Sequence, residues 1–439
     1  MPSVCVVGGG LAGLAAAAAL GEAGLEVDVY EARPFLGGRA TSYPAPGEGP
    51  STGEQEETID NCQHILLGCC VNLIDFYRRL GVEGKVRFWR EFTFLEPGGR
   101  ASKMRATSLP APLHFSGSFL TMPCFDWSDR LAIGRAMLSL MREAGRRDLD
   151  SITMAEWLAG QRQTPRAMER FWRQVLVSAI NEELDRMAAS HAFQVFRLGF
   201  LAGGKWSAMG VPAVPLAELY GESAWARLPT VRIHTRAQVE SVVGGVTLAG
   251  GERREADAVV LAVPWERAAG LAPHIGLDFT GWEHSPITGI HLWFDRAVTG
   301  LPHATLLDRT MQWMFNKRDG RHIQLVVSAS RGLTGMGKNE VVELALRELT
   351  EFLPEVGQAR LERSHVVKEM RATFSAKPGL EARRPAAETS DGRLFLAGDW
   401  TRSGWPATME GAVRSGYLAA EAVCRKLGRS GRFLKPDVG

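Results

Sequence analysis

Val4-Cys5-Val6-Val7-Gly8-Gly9-Gly10-Leu11-Ala12-Gly13, followed by an alanine-rich run to Ala23-Gly24, decides the fold of this 439-residue chain. The β-branched run suits a strand buried on both faces, and Leu11 to Ala23 is made of good helix formers. Gly24 can take the left-handed conformation that closes a helix. Leu25, Val27 and Val29 then alternate with Glu26, Asp28 and Tyr30 as a second strand ending at Glu31. The spacing is that of a dinucleotide-binding unit. Gly8 permits the turn, Gly10 lets the backbone approach a pyrophosphate, and Gly13 lets helix and strand pack closely. Unpaired N–H groups at the helix start attract phosphates, and Glu31 is placed to bind a ribose.

The rest of the chain is too long for one ordinary core, so two domains are expected. A net charge of +2, with no dense basic stripe, gives no reason to expect nucleic acid. Cys5, Cys62, Cys69, Cys70, Cys124 and Cys424 show neither a CxxC pair nor metal-ligand spacing with histidine, and read as reduced thiols of a cytoplasmic protein without a metal site. The apolar N-terminus lacks a basic leader, so no targeting signal is expected. No apolar run reaches the roughly 18 residues that a membrane span needs.

Outward from the first motif, Arg33 and the Gly37-Gly38-Arg39 turn bring two arginines to a place where a phosphate-rich ligand gives both a task. Residues 44–57, rich in glycine, proline and glutamate, read as a polar, mobile excursion. Ile59-Asp60-Asn61-Cys62-Gln63-His64-Ile65 sets polar side chains among apolar ones, each of which needs a partner if buried. From about 76 to 224 the pattern is mostly helical. Ser128 is the expected cap of one helix, Thr153 and Glu156 have capping-box spacing, and Thr164-Pro165 starts a helix with Met168, Phe171, Trp172, Val175, Leu176, Ala179 and Ile180 on one stripe. Residues 110–125 carry Leu113, Phe115, Phe119, Leu120, Met122 and Phe125 with almost no charge. So apolar a loop is either tucked against its own domain or serves as a membrane contact or substrate gate.

Strands are expected again at 231–233, 239–243 and 258–263, read as a hairpin followed by a buried strand. Alternation from 288 to 374 predicts an antiparallel sheet, interrupted by a helix at 338–353 with Val342, Ala345, Leu346, Leu349 and Leu353 on one face. The last motif repeats the logic of the first: Arg393 to Ala397 is a buried strand, Gly398-Asp399 ends it, and Thr408 caps a helix beginning Met409-Glu410-Gly411. Its carboxylate can bind a sugar-like hydroxyl chain, and its helix aims N–H groups at a second electron-rich part of the same ligand.

These residues carry a resemblance. Gly8 to Gly13 with Glu31, the Gly37-Gly38-Arg39 turn, and Gly398-Asp399 with Thr408 to Ala412 are similar to the FAD-binding signature of the amine oxidase and carotenoid desaturase superfamily. A nicotinamide enzyme does not need the C-terminal pair, so FAD is favoured over NAD. Within the superfamily, His64 to Gly68 with Asn72 resembles the plant-type phytoene desaturase branch. Asp60 to His64, Phe94 to Gly99, Leu109 to Leu113, and Gly398 to Thr401 with Gly404 to Gly411 resemble the squalene-associated FAD-dependent desaturase family more closely still. Cys62 stands where that family leads one to expect glycine.

The resemblance implies an α/β fold: a Rossmann-type FAD-binding domain (1–75, 225–274 and 386–439) with a discontinuous substrate domain of antiparallel sheet plus helices (76–224 and 275–385). It implies that Gly10, Leu11 and Ala12 meet the pyrophosphate, Glu31 the adenosine ribose, and Arg39 the phosphates beside Gly38. Val239 then offers its backbone to adenine, Asp399 holds the ribitol, and Thr408 and Met409 face the pyrimidine edge of the flavin. The reaction implied is reduction of hydroxysqualene to squalene by hydride from reduced flavin, recharged by an unidentified reductant. Departing hydroxide needs an acid, for which Asp60 and His64 are the candidates, and an allylic cation needs π-faces such as Trp400 or Trp405. A long isoprenoid substrate requires an apolar cavity, drawn from the 110–225 helices and the 288–374 sheet, and peripheral membrane contact. The rivals are a carotenoid desaturase and a flavin-free prenyl-lipid binding protein.

Overall fold

The computed structural model describes residues 1–45 and 57–438. Residues 46–56 of the turn-rich excursion lie outside them. The N-terminal strand Ser3–Val7 is central in a five-stranded parallel sheet, with Glu26–Tyr30 and Val231–His234 on one side and Ala258–Leu261 and Leu394–Leu396 on the other. Val4, Val6 and Val7 are buried, as are Val27, Val29 and all of Ala258–Leu261. Both faces of this sheet are covered, which is why its strands read as continuous apolar runs. Val231–His234 pairs in parallel with Glu26–Tyr30, so it is the sheet's edge and no part of a hairpin; the hairpin is made by Val239–Ser241 and Val246–Leu248.

Two helices pack on this sheet through small residues, Leu11–Glu22 by Ala12, Ala15 and Ala16 against Gly416 of Met409–Lys426. Their close approach sets two helix N-termini, contributed by opposite ends of the chain, beside one another.

A seven-stranded sheet runs in the order Leu361–Phe374, His284–Phe294, His322–Ser328, Trp313–Arg318, His303–Leu306, Glu91–Leu95 and Ala101–Arg105. All neighbours are antiparallel except His303–Leu306 with Glu91–Leu95. The last two strands correct the expectation of a mostly helical stretch from 76 to 224. Phe92 and Phe94 pair with Met104 and Ser102 around a turn at Gly98 and Gly99, a two-residue period lying inside helical surroundings.

Three further readings shift. Asp126, not Ser128, caps the helix Trp127–Arg142, because Asp129 reaches back to accept from the Asp126 N–H at 2.8 Å. Helix Lys338–Phe352 buries Val341, Ala345, Leu349 and Phe352, a face rotated from the one containing Val342 and Leu346. The apolar stripe after Pro165 passes through a π-helical turn, Met168–Arg173, before Gln174–Ile180, and another π turn covers Val195–Leu201. Capping at Thr153 and Thr164 is as expected, with Glu156 N and Ala167 N as donors. All six cysteines are free thiols, five of them buried.

Candidate active site at the cavity between the sheets

A cavity of about 500 Å³ is walled by both sheets and by both paired helix N-termini. At its nucleotide end lie Gly8, Gly10, Leu11, Ala12, Glu31 and Arg33, with Val239 beyond them. Helix Leu11–Glu22 begins at Gly10, which brings no capping side chain, and has no acidic residue in its first turn. Its first N–H groups are therefore left for a ligand. A Cβ on Gly10 would project into open space, with Gly38 Cα 3.9 Å away as its nearest neighbour, so this position is a cradle rather than a packing contact. Gly13 is the packing glycine: a Cβ there would stand 2.0 Å from the Gly8 carbonyl oxygen, and Gly13 does not line the cavity. Glu31 accepts from Gly9 N at 2.7 Å and Arg33 N at 2.8 Å, which fixes its carboxylate at the end of the second strand.

Midway along the cavity the two ends of the chain meet. Arg39 donates to Asp399 Oδ1 at 2.6 Å and to the Ala372 carbonyl at 3.0 Å, and Gly398, Asp399, Thr408 and Met409 all line the wall. Thr408 Oγ1 caps the last helix by accepting from Gly411 N at 3.0 Å. Behind it the buried Glu410 accepts from Leu73 N and Asn72 Nδ2, each at 2.8 Å, and so caps the helix Val71–Arg79 from outside. Burial pushes its pKa up to about 7.

Beyond Asp399 the wall turns apolar, with Ile65, Ala179, Ile287, Trp313, Phe315 and Val326 contributed by the 61–65 turn, helix Gln174–Ile180 and the seven-stranded sheet. His64 lines this part. Its Nδ1 lies 2.9 Å from the Cys62 carbonyl, an oxygen that can only accept, so Nδ1 donates and Nε2 is left to the cavity. Burial holds the His64 pKa below the usual histidine value, Lys317 pulls the same way, and the Cys62 carbonyl with Asp60 and Glu369 pulls it up.

Asp60 is not the other half of an acid pair. Its Oδ1 accepts from Ser42 Oγ at 2.7 Å and Leu216 N at 2.9 Å, Lys317 Nζ lies 3.5 Å from Oδ2, and its side chain is absent from the cavity wall. The strand Thr58–Asp60 ends at Asp60, so the alternation that would set Asp60 and His64 on one face does not continue; Asp60 points inward while the following turn opens to the cavity. Trp405 also faces away, donating to Asp437 at 3.0 Å, whereas Trp400 lines the wall with its indole N–H on the Val263 carbonyl. Cys62 is buried against Phe315 and Val326, where its small side chain fits, and burial pushes its thiol up to about 12.

Sequence reasoning missed Glu369. It lines the same wall opposite Ile287, has no ion-pair partner among the described residues, and accepts only a 3.3 Å contact from Arg371 N. Its place in an alternating strand gave no signal, because only the strand pairing brings it to the cavity.

This arrangement, in which a dinucleotide fold and a second helix N-terminus share one cavity with an apolar chamber, is that of a flavoprotein oxidoreductase. The model of the family described as flavin containing amine oxidoreductase matches residues 11–424, and the chain belongs to that family. It is an FAD-dependent oxidoreductase, and the residues at both helix N-termini fit the cofactor. Among its relatives is the hydroxysqualene dehydroxylase of Rhodopseudomonas palustris, 31% identical over 96% of this chain and 98% of that protein. The 15-cis-phytoene desaturase of Synechococcus elongatus is 25% identical over 96% of this chain and 95% of its own length. A solved structure of wild-type putrescine oxidase with putrescine has the same fold, with a TM-score of 0.70 at 18% identity over 97% of this chain and 99% of that one.

Proposed function

We propose that this enzyme reduces hydroxysqualene to squalene. The observation that carries the reading is the chamber beyond Asp399: mainly apolar and aromatic, with the neutral polar groups of Gln63, Ser178, Asn181, Ser328 and Thr373, and with His64 and Glu369 as its sparse charged or chargeable groups beside the Cys62 thiol. Such a wall suits a polyisoprene that offers a single hydroxyl for hydrogen bonding. The likeness to hydroxysqualene dehydroxylase over nearly the whole chain supports the same substrate.

Asp399 and Glu31 would hold the two sugar portions of FAD, the first helix its phosphates, and the Thr408–Met409 N-terminus the pyrimidine edge of its ring. Reduced FAD, when bound, supplies hydride. His64 must first take up a second proton at Nε2; as the imidazolium it gives that proton to the departing hydroxyl, so that the carbon–oxygen bond breaks to release water, and Glu369 with the faces of Trp313 and Phe315 offsets the positive charge left on the allylic carbon. The aromatic wall excludes water that would otherwise capture that carbon.

The same residues would also serve a desaturase, for which the phytoene desaturase likeness speaks. Anaerobic mixing of pre-reduced enzyme with hydroxysqualene, with flavin absorbance and product followed together, separates the two. Squalene formed in step with flavin oxidation is the expected result. No reaction there, but reduction of oxidised enzyme by phytoene, would replace the reading.

For access to a lipid-dissolved substrate we assign peripheral membrane contact to the face carrying Leu109, Leu113, Leu120, Trp127, Leu131 and Leu138, all exposed. Trp127, Leu131 and Leu138 share one side of their helix, with Arg130, Arg135 and Arg142 interleaved. Phe115, Phe119 and Phe125 turn inward from the same stretch into a cluster that also contains Ile65 and Trp313 of the chamber wall, so apolar surface continues from the exposed face to the cavity. No helix among the described residues is long and apolar enough to cross a membrane. Replacing Trp127 and Leu131 together by serine is expected to lower co-sedimentation with anionic liposomes at unchanged thermal stability. Equal sedimentation of variant and parent would remove this face from the reading.

A further inference from the structure

Two histidines lie beneath the turn that carries His64. His291, in strand His284–Phe294, and His322, at the start of His322–Ser328, are both buried, and neither lines the cavity. His291 Nε2 is 3.1 Å from the Asp60 carbonyl oxygen, and its Nδ1 is 2.9 Å from His322 Nε2. His322 Nδ1 is in turn 3.3 Å from Glu57 Oε1, whose side chain is 28% exposed. An unbroken line of contacts thus joins Asp60, the strand residue just before the site turn, to a carboxylate at the surface.

Both ends of this line can only accept. Its three bonds need three protons, and two neutral imidazoles own two. The line is complete only when the pair carries one more proton, with Glu57 as its counter-charge. Without that proton one bond is lost; losing the central one would set two ring lone pairs face to face at 2.9 Å, so the other two arrangements compete. In one, His291 Nε2–H holds the Asp60 carbonyl and His322 turns a lone pair towards Glu57. In the other, both imidazoles carry their protons on Nδ1, Glu57 is bonded, and His291 turns a lone pair towards Asp60. Gln324 can follow either: its Nε2 is 3.0 Å from His291 Nε2, as the second arrangement requires, while its buried amide oxygen has no partner and would meet His291 Nε2–H if the amide turned over.

We propose that Glu57, His322 and His291 form a proton relay whose state decides whether the Asp60 carbonyl is held. His291 and His322 are thereby positioning residues for the turn that presents His64 to the cavity. The proposal deepens the reading of His64 as proton donor and rests on it.

The surroundings set the direction of the response. Burial pulls both histidines below the usual value, His291 to about 3. Lys317 and Arg363 act in the same sense on His322, where Glu57 opposes them; His322, Lys317 and His365 act in the same sense on His291, where the bond to the Asp60 carbonyl opposes them. The third proton therefore enters on the acid side of the ordinary histidine range, and there the turn is held by the full set of bonds. Glu57 is itself fixed by Trp293 Nε1 at 3.0 Å and by Arg363, and Trp293 stacks on His322 with ring centroids 4.2 Å apart.

The test uses FAD-loaded enzyme labelled with nitrogen-15 at histidine and titrated from neutral pH through the histidine range to as far below it as the fold persists, alongside Glu57→Gln and His322→Gln. In the parent the His291–His322 pair is expected to take up one shared proton on acidification, and Glu57→Gln to abolish that step. With hydroxysqualene, His322→Gln is expected to lower kcat about tenfold, to leave KM and flavin content within about twofold, and to flatten the acid limb of the kcat profile. Ring nitrogens that keep one protonation state throughout, or a His322→Gln profile matching the parent, would overturn the relay. The nitrogen titration does not depend on the substrate, so an enzyme that titrates as described yet leaves hydroxysqualene untouched refutes the reaction and not the relay.

Discussion

At the nucleotide end of the cavity the ligand-holding groups are mainly backbone N–H groups at two helix N-termini, steadied by Glu31 and Asp399. At the chamber end they are side chains, brought together from the 61–65 turn, helix Gln174–Ile180 and four strands of the seven-stranded sheet. The first end is specified by what a residue lacks, since the missing side chain of Gly10 leaves open space beside the helix N-terminus. The second is specified by what each residue carries and by which way its strand turns it. Substitutions at the first end should therefore act on folding and flavin retention together, and those at the second on turnover alone.

The largest expected effect is at the packing glycine. Gly13→Val places carbon against the Gly8 carbonyl, where no side chain can yield, and should cost about 3 kcal/mol and most of the bound flavin. Thermal unfolding and flavin absorbance read both. Asp399→Ala comes next: it leaves Arg39 without its carboxylate and should cost about 2 kcal/mol, again with loss of flavin.

His64→Ala tests the other end. Flavin content and melting temperature should hold while turnover falls about a hundredfold. Asp60→Ala is its foil, because it strips acceptors from Ser42 and Leu216 N and should cost about 2 kcal/mol of stability. If Asp60→Ala left stability alone and removed turnover, the division between anchoring Asp60 and working His64 would fail.

The smallest effect concerns Glu410, which lies behind the second helix N-terminus. Its pKa of about 7, against an ordinary 4.5, means that the folded protein holds a proton the unfolded chain has released between those values. Stability from this group therefore falls as pH rises through that window and is level above it. Glu410→Gln should remove this component, seen as a difference of roughly 2 °C in melting temperature between the two pH limits, parent against variant.

Much of the nucleotide end was legible in the sequence, because its signals are local. Strand, glycine turn and helix follow one another within Val4 to Ala23, and again within Arg393 to Gly416, and the small residues that bring the two helices together are visible as Ala12, Ala16 and Gly416. The chamber end was legible only in its membership. His64 could be named from its surroundings, but the inward turn of Asp60 depends on the pairing of its strand with Ser42–Pro44 and on the contact with Leu216 N, and the exposure of Glu369 to the cavity and the meeting of His291 with His322 depend on pairing between strands distant in sequence. Register flips a side chain from one face to the other with a shift of one residue, and no local pattern records it. Membership of the 91–105 hairpin in the second sheet was hidden for the same reason.

The central claim is that residues from both ends of the chain hold one FAD whose reactive ring faces the aromatic chamber. The structure of the flavin-loaded enzyme tests it most directly. The expected result is a dinucleotide lying from Glu31 to Asp399, with its ring against the Thr408–Met409 N-terminus and one face open to His64, Trp313 and Phe315. A ring directed away from that chamber, or a nucleotide that leaves either Glu31 or Asp399 uncontacted, would contradict the account.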